Sequence, residues 1–413
     1  MACAGVLALA WPTVVPTVAL AQRTISLGGS APADAVAPIP LDRSGPRIPA
    51  VDPATLQGLP SARDYHPLEG IAFKTADIVS DNVRLTAQWV WASENEGKKL
   101  PAVIMAPGWG ATAASLREDA VDLAKAGYLV MLFDYRGWGD SDGRVMLTGP
   151  RPAAGGTFTA EVREVRGYID PWEQAEDWFN AIGYVAADPR VDAGAIGVIG
   201  SDLAGGHVIH LAANDTRVKA LVSEVTWADL RPSKPYQLNP AKAVAAAEAA
   251  ASAIATGQQQ YPAERAHTPN GQGGSLVGAP VGAKAVRWAP VDEADDVTAP
   301  ALFVLTQKEE LFSNKANGQL ACERVQGPRK MVMLAEATHY DVYGQGRTQA
   351  INAAIDWFDR RLKPPGAPTR VPINRKEPER GECNPPAVPP AGEEKKEGSG
   401  PGHKSPPTSG RFN

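Results

Sequence analysis

The chain has 413 residues, 44% of them hydrophobic, and its 41 Lys and Arg against 46 Asp and Glu give a formal net charge of -5. That is ample apolar material for a buried, enzyme-sized core, and the mild acidity gives no electrostatic footing for nucleic acid or an acidic membrane surface. Cys3, Cys322 and Cys383 lie far apart, with neither metal-ligand spacing nor a disulfide framework, and no cofactor or metal motif is present.

Ala4 to Ala10 and Val14 to Ala21 are apolar, and Ala19-Leu20-Ala21 before Gln22 has the small-x-small form of a signal-peptidase site. Residues 1–21 therefore read as an export signal, which implies a secreted or periplasmic protein. No Lys or Arg precedes the apolar stretch, so a disordered N-terminus in a cytosolic protein is the other reading. Pro12 and Pro16 interrupt the segment and no other is long and apolar enough to span a bilayer, so no integral membrane anchor is expected. Residues 22–60, rich in Pro, Ala and Gly, read as a linker.

From residue 61 to 363, strands and helices alternate in the manner of a mainly parallel sheet covered on both faces. Ile71 to Val79 and Val83 to Trp91 form an expected antiparallel pair. Ala102 to Ala106 is a short buried strand, followed by an amphipathic helix from Ala114 to Ala126 and a strand from Tyr128 to Phe133. Trp172, Ala175, Trp178, Phe179 and Ile182 fall at helical spacing over Pro171 to Ile182. Ala195 to Ile199 reads as a strand and His207 to Ala213 as a helix, with a glycine-rich turn between them. Val218 to Ser223, Ala301 to Thr306 and Lys330 to Leu334 are further strands, and Thr348 to Leu362 is the closing helix. Between them, residues 227–299 read as a lid insertion, with an Ala-rich helix over Pro240 to Thr256 and a mobile loop over Gly257 to Gly274. Residues 364–413, dominated by Pro, Gly, Glu and Lys, read as a disordered tail. A Cys322–Cys383 bridge would tie a folded helix to that tail. It is disfavoured, though open in an oxidising compartment.

The stretch Gly200-Ser201-Asp202-Leu203-Ala204-Gly205-Gly206 carries the chemistry. A strand, a tight glycine-rich turn and a helix make a nucleophile elbow, in which small neighbours give clearance to a side chain held on a strained turn. With Gly200 two residues before the nucleophile, that position is Asp202. Ser201 in its place would put Ile199 where a small residue is required.

Four segments in order resemble the α/β-hydrolase superfamily, and the resemblance covers Tyr65 to Leu362. Ala106-Pro107-Gly108-Trp109-Gly110 is similar to the oxyanion loop, and Asp134-Tyr135-Arg136-Gly137-Trp138-Gly139-Asp140-Ser141 to the D-x-R-G-x-G-x-S turn. The elbow is third, and Ala337-Thr338-His339-Tyr340-Asp341 resembles the loop bearing the catalytic His. The branch it looks most like is that of dienelactone hydrolases and Xaa-Pro dipeptidyl-peptidase-like hydrolases. The resemblance implies an α/β-hydrolase fold, His339 as base, and backbone N–H groups of Trp109 and Leu203 as oxyanion donors. It implies an acid after the strand Ala301 to Thr306, at Glu309 with Glu310 as the alternative. His207 and His210 are expected to pack the elbow helix, and His66 and His267 receive no role.

An Asp attacking an acyl carbonyl would form a mixed anhydride with little driving force, whereas Asp attacking an sp³ carbon forms an alkyl ester that water can cleave. Epoxide hydrolases and haloalkane dehalogenases do this on the same fold. They usually have Trp after the Asp, where this chain has Leu203. Epoxide opening also needs acid groups, for which Tyr236 and Tyr261 in the lid are candidates. Three readings follow: a hydrolase of a small organic substrate using Asp202, a degenerate hydrolase-fold binding protein, or an acyl hydrolase using a non-standard nucleophile such as Ser201. Trp109, Trp138 and Trp227 would make the pocket apolar. Substrate identity and oligomeric state are not legible.

Overall fold

Asp81 and Asn82, both at positive φ (48° and 64°), join the first two strands in a two-residue hairpin, the backbone a tight right-twisted turn demands and that Asp and Asn tolerate. The computed structural model describes residues 59, 61–151, 157–231, 240–258, 267–269, 275–277, 279–369 and 380–388. The expected export signal, nearly all of the linker, most of the mobile loop, and Tyr236 and Tyr261 lie outside the described residues.

Eight strands form the main sheet: β1 (Ile71–Ser80), β2 (Val83–Ala92), β3 (Leu100–Ala106), β4 (Leu129–Phe133), β5 (Val191–Ser201), β6 (Val218–Glu224), β7 (Ala301–Lys308) and β8 (Arg329–Thr338). Their spatial order is β1-β2-β4-β3-β5-β6-β7-β8. β1 and β2 pair antiparallel, β2 meets β4 antiparallel, and every later neighbour is parallel. Central strands such as β4 are buried throughout, as parallel strands with helices on both faces must be. This is the α/β-hydrolase fold.

The helices divide between the faces. α1 (Arg117–Lys125) and, at the end of the domain, the closing helix Arg347–Leu362 cover one face, where Val121, Leu123, Ile351, Ile355 and Phe358 join a buried cluster. α2 (Pro171–Ala187) and α3 (Leu203–Asn214) cover the other through Trp178, Ile182, Val208 and Leu211. Asp170 caps α2, its carboxylate accepting the N–H groups of Trp172 and Glu173, which satisfies donors the helix itself leaves unpaired.

Several boundaries differ from expectation. The first part of the predicted 114–126 helix is a 3-10 turn, Ala113–Leu116. The elbow helix begins at Leu203, not His207, because the glycines expected to form the turn are already helical. A hairpin of Arg144–Leu147 with Val162–Val165 was not expected, its strands being short and mostly exposed. Within residues 227–299, α4 (Pro240–Ala255) forms as predicted, while His267–Pro269, in the stretch read as a mobile loop, pairs with Ser275–Val277 just beyond it. The larger correction is at the C-terminus. Cys322 and Cys383 are joined in a disulfide, and Val388 pairs with β8, so part of the tail read as disordered is docked.

The D-x-R-G-x-G-x-S segment proves to be a brace for the site. The Asp134 carboxylate accepts the Ala113 N–H at 2.7 Å and the Asp140 N–H, and burial pushes its pKa up to about 6. The buried Arg136 guanidinium pairs with Asp177 of α2 at 2.6 Å. The Ser141 hydroxyl donates to Asp134 O and accepts the Thr86 N–H. Together they fix the turn after β4 against the loop after β3. Among the described residues no helix is long and apolar enough to cross a membrane.

Candidate active site

β5 ends at Ser201 and α3 begins at Leu203, so Asp202 alone makes the turn, with φ 57° and ψ -122°. Such a backbone costs a non-glycine residue about 1–3 kcal/mol and persists only where its surroundings over-determine it. Here the Asp202 N–H donates to Glu224 O, and Asp202 O accepts from both Gly205 and Trp227 N–H, all at 3.0 Å. Glycine is required on either side of this turn. A Cβ at Gly200 would sit 2.3 Å from Ala204 O, and one at Gly108 would sit 2.9 Å from the Asp202 Cβ.

The Asp202 carboxylate is buried and its two oxygens have different surroundings. Oδ2 accepts the Trp109 N–H at 2.8 Å. Oδ1 lies 3.8 Å from His339 Nε2, beyond hydrogen-bonding distance. Burial raises the pKa of Asp202, opposed by the nearby His339 and by the Trp109 and Leu203 N–H groups. The backbone donors assigned from the sequence thus both address this one carboxylate.

His339 follows β8 at the start of a 3-10 turn, His339–Tyr343, whose Thr338 and Asp341 form a reciprocal capping box. Its Nδ1 lies 3.1 and 3.0 Å from the two oxygens of Glu309, and both side chains are 2% exposed. Burial alone would lower the His339 pKa, but the Glu309 hydrogen bond and the charges of Asp202, Glu309 and Glu310 outweigh it, so the net shift is upward. The Glu310 carboxylate accepts the His339 backbone N–H at 2.8 Å. This separates the two glutamates left open by the sequence: Glu309 faces the imidazole, and Glu310 holds the main chain that carries it.

Ser201 does not join this group. Its hydroxyl donates to Glu224 Oε2 at 2.8 Å and is also hydrogen-bonded with the Tyr343 hydroxyl. Ser201 is the last residue of β5 and pairs in register with Glu224 of the neighbouring strand β6, so its hydroxyl is engaged there. Burial pushes the pKa of Glu224 up to about 8. His207 is fully packed, with its ring beside Pro171 O and its pKa drawn down to about 3 by burial, and His210 contacts Glu293.

An aromatic wall runs from the oxyanion loop to the base. Trp109 stacks on Trp227 at 5.5 Å and Trp227 on Phe312 at 5.3 Å. Phe312 meets the His339 ring edge-on at 5.4 Å, and Tyr340 meets it at 5.0 Å. Trp138 stands apart from this stack, buried with its indole N–H donating to Tyr168 O. Phe312 and Tyr340 were missed by the sequence reading. Tyr340 is adjacent to the base and could have been singled out; Phe312 belongs to an irregular loop without periodicity. Among the described residues no cluster of His, Cys, Asp and Glu could hold a metal ion.

Comparison with known proteins agrees with this architecture. A family model described as X-Pro dipeptidyl-peptidase (S15 family) matches residues 81–354. The chain is 24% identical over 285 residues to the quorum-quenching protein AidA of Acinetobacter baumannii (strain MDR-ZJ06), covering 63% of this chain and 86% of that protein. The crystal structure of a hypothetical protein from Pseudomonas aeruginosa superposes with a TM-score of 0.58 at 16% identity, covering 73% of this chain and 97% of the other. The alpha/beta hydrolase GrgF from Penicillium sp. sh18 gives a TM-score of 0.56 at 20% identity, covering 70% and 99%.

Proposed function

The chain belongs to the X-Pro dipeptidyl-peptidase (S15) family of hydrolases, and on that premise we propose that it hydrolyses a small organic substrate by carboxylate attack on an electrophilic sp³ carbon. Asp202 is the nucleophile, His339 the base and Glu309 the acid that orients it. The observation that carries this reading is the division of labour within the Asp202 carboxylate. One oxygen is held by the Trp109 N–H, and the other lies 3.8 Å from His339 Nε2.

In the first step Oδ1 forms a bond to the substrate carbon and the leaving group departs with its electron pair. Attack by the ionised form of the carboxylate needs no base, so the 3.8 Å separation from His339 Nε2 is no obstacle. In the second step His339 Nε2 takes a proton from water, whose oxygen attacks the Asp202 Cγ. The negative charge then develops on Oδ2, against the Trp109 N–H already in place for it, with the Leu203 N–H also directed at this carboxylate. Collapse expels the alkoxide, which takes the proton from His339 to leave as the alcohol; Asp202 keeps one oxygen from water and releases that water's second proton to solvent, which restores the carboxylate.

The electrostatics favour this order. Asp202 is one of the charges raising the His339 pKa. Ester formation removes that charge, so the imidazole becomes easier to deprotonate when a base is needed. An acyl substrate would bring its carbonyl oxygen to the Trp109 N–H, which Oδ2 already engages, and the Ser201 hydroxyl donates to Glu224; both observations favour the alkyl reading over the acyl one. Glu309 keeps the Nδ1 proton in place and stabilises the imidazolium. The aromatic wall suits an apolar substrate body, and the reading of residues 1–21 as an export signal makes this an enzyme of the periplasm or the exterior. AidA is named for quorum quenching; a small signalling molecule fits here only if it offers Asp202 an sp³ electrophile.

The test is trapping. In His339→Gln the first step persists and the second stops, so incubation with a panel of epoxides and haloalkanes should leave a stoichiometric adduct on Asp202 by intact mass. No adduct and no turnover across the panel, with ligand-induced stabilisation, would support the binding-protein alternative.

A further inference from the structure

β8, the strand that leads into His339, stands last in the sheet order and has β7 on one side only. Its outer side is nonetheless covered by the chain's own C-terminal segment. The Gly381 N–H donates to Arg329 O at 2.8 Å, the Val388 N–H to Met333 O at 2.6 Å, and the Ala335 N–H to Val388 O at 2.8 Å. Arg329 and Arg380, and Leu334 and Val388, form parallel bridges, and the Arg380 guanidinium donates to Val325 O. Between these contacts Cys383 is bonded to Cys322 of the helix Gly318–Arg324, a sequence separation of 61 residues. Cys322 is completely buried and Cys383 is 9% exposed.

We propose that the Cys322–Cys383 bond is a latch holding residues 380–388 as a strap along β8, so that the strand positioning His339 is completed only when the chain folds under oxidising conditions. Three backbone hydrogen bonds, spread over nine residues, are a marginal hold in water. Without the bond they must also offset the entropy of ordering the segment that follows the closing helix. The bond removes most of that entropy beforehand by confining the unfolded chain. Releasing the strap would bare the Ala335 N–H and the Met333 and Arg329 carbonyls at a sheet edge. Ala335 is four residues before His339, so the loosened edge lies directly behind the loop that faces Glu309.

Making the latch takes two protons and two electrons from the Cys322 and Cys383 thiols and passes them to a disulfide oxidant, such as oxidised glutathione, which becomes two thiols. The burial of both sulfurs makes the bond a product of folding, shielded from later reduction in the folded state. This agrees with an exported enzyme, but it does not rest on Asp202 chemistry.

The experiment is hydrogen–deuterium exchange by mass spectrometry on the full chain refolded with oxidised glutathione, the same chain refolded with dithiothreitol, and Cys383→Ser. A chain ending at Thr369, which lacks the strap, sets the fully released rate at Ala335. In both thiol forms, exchange at Ala335 and Val388 should be at least about tenfold faster than in the oxidised chain, with Ala335 matching the truncated chain and β7 still protected. Equal protection at Ala335 in oxidised and thiol forms would overturn the proposal, because the strap would then hold itself. Loss of β7 protection in the thiol forms would overturn it too, because the bond would then hold the whole domain. Neither readout involves turnover, so failure here is distinct from failure of the Asp202 mechanism.

Discussion

Asp202 Oδ2 accepts the backbone N–H of Trp109 at 2.8 Å, so the nucleophile candidate occupies the anion site of its own elbow. In a serine enzyme that site receives an oxygen of the substrate. Here it holds an oxygen of the protein, and the chemistry most compatible with that arrangement makes an ester of the carboxylate itself.

Replacing this carboxylate separates catalysis from stability. Asp202→Asn keeps the shape and removes the nucleophilic charge, so turnover should fall by at least about 10³-fold. Burial raises the Asp202 pKa, which means the ionised form costs folding energy at neutral pH. The thermal midpoint of Asp202→Asn at pH 7 should therefore be at or above that of the unmodified protein. A variant that unfolds would point to a structural role instead.

The two glutamates should differ sharply. Glu309→Gln leaves His339 Nδ1 without a carboxylate partner, and kcat should drop about 10³-fold. Glu310→Gln retains an oxygen for the His339 N–H, and its loss should stay within about tenfold. Steady-state kinetics on both variants decide the assignment; equal losses would contradict it.

The pH profiles should have separate acid limbs. Alkylation needs ionised Asp202, whose pKa lies above the ordinary carboxylate value, so kcat/KM should rise with pH through that ionisation. Ester hydrolysis needs neutral His339, so where hydrolysis limits kcat, its limb should report the imidazole. Because Glu309 raises the His339 pKa, Glu309→Gln should move the kcat limb to lower pH. An unmoved limb would assign that ionisation elsewhere.

Glu224 makes a prediction about stability alone. Its pKa is about 8 in the folded protein against 4.5 for an ordinary Glu. The folded state therefore binds the proton more tightly, and the associated stability is fully present below about pH 4.5 and is lost as pH rises through about 8. In thermal melts from pH 5 to pH 9, Glu224→Gln should decline less steeply with pH than the unmodified protein. Ser201→Ala, which removes the hydroxyl bonded to Glu224, should cost about 1 kcal/mol and leave turnover within tenfold.

The parts of this site that were legible from the residues are those fixed by local backbone demands. Gly200 set the elbow register on Asp202, and its close approach admits no Cβ; Trp109 was placed by the resemblance of Ala106-Pro107-Gly108-Trp109-Gly110 to an oxyanion loop. Glu309 could be separated from Glu310 only in three dimensions, because both follow β7 and the choice depends on where β8 delivers His339. Phe312 joins the aromatic wall through a loop whose composition does not distinguish it. The strap was read as disorder because Pro, Gly, Glu and Lys dominate residues 364–413 as a whole; its order comes from one covalent bond and an open strand edge, neither of which has a local signature. Ser201 was weighed as a nucleophile displaced in register, and its pairing beside Glu224 on the neighbouring strand is what engages its hydroxyl.

The most direct test of the central claim is turnover in ¹⁸O-enriched water, followed by mass analysis of the peptide containing Asp202. Attack of water on the Asp202 Cγ predicts that the peptide gains one or two heavy oxygens, while a control without substrate gains none. Full turnover with the label only in the product and none in Asp202 would mean that water attacks the substrate directly, and would contradict the covalent mechanism.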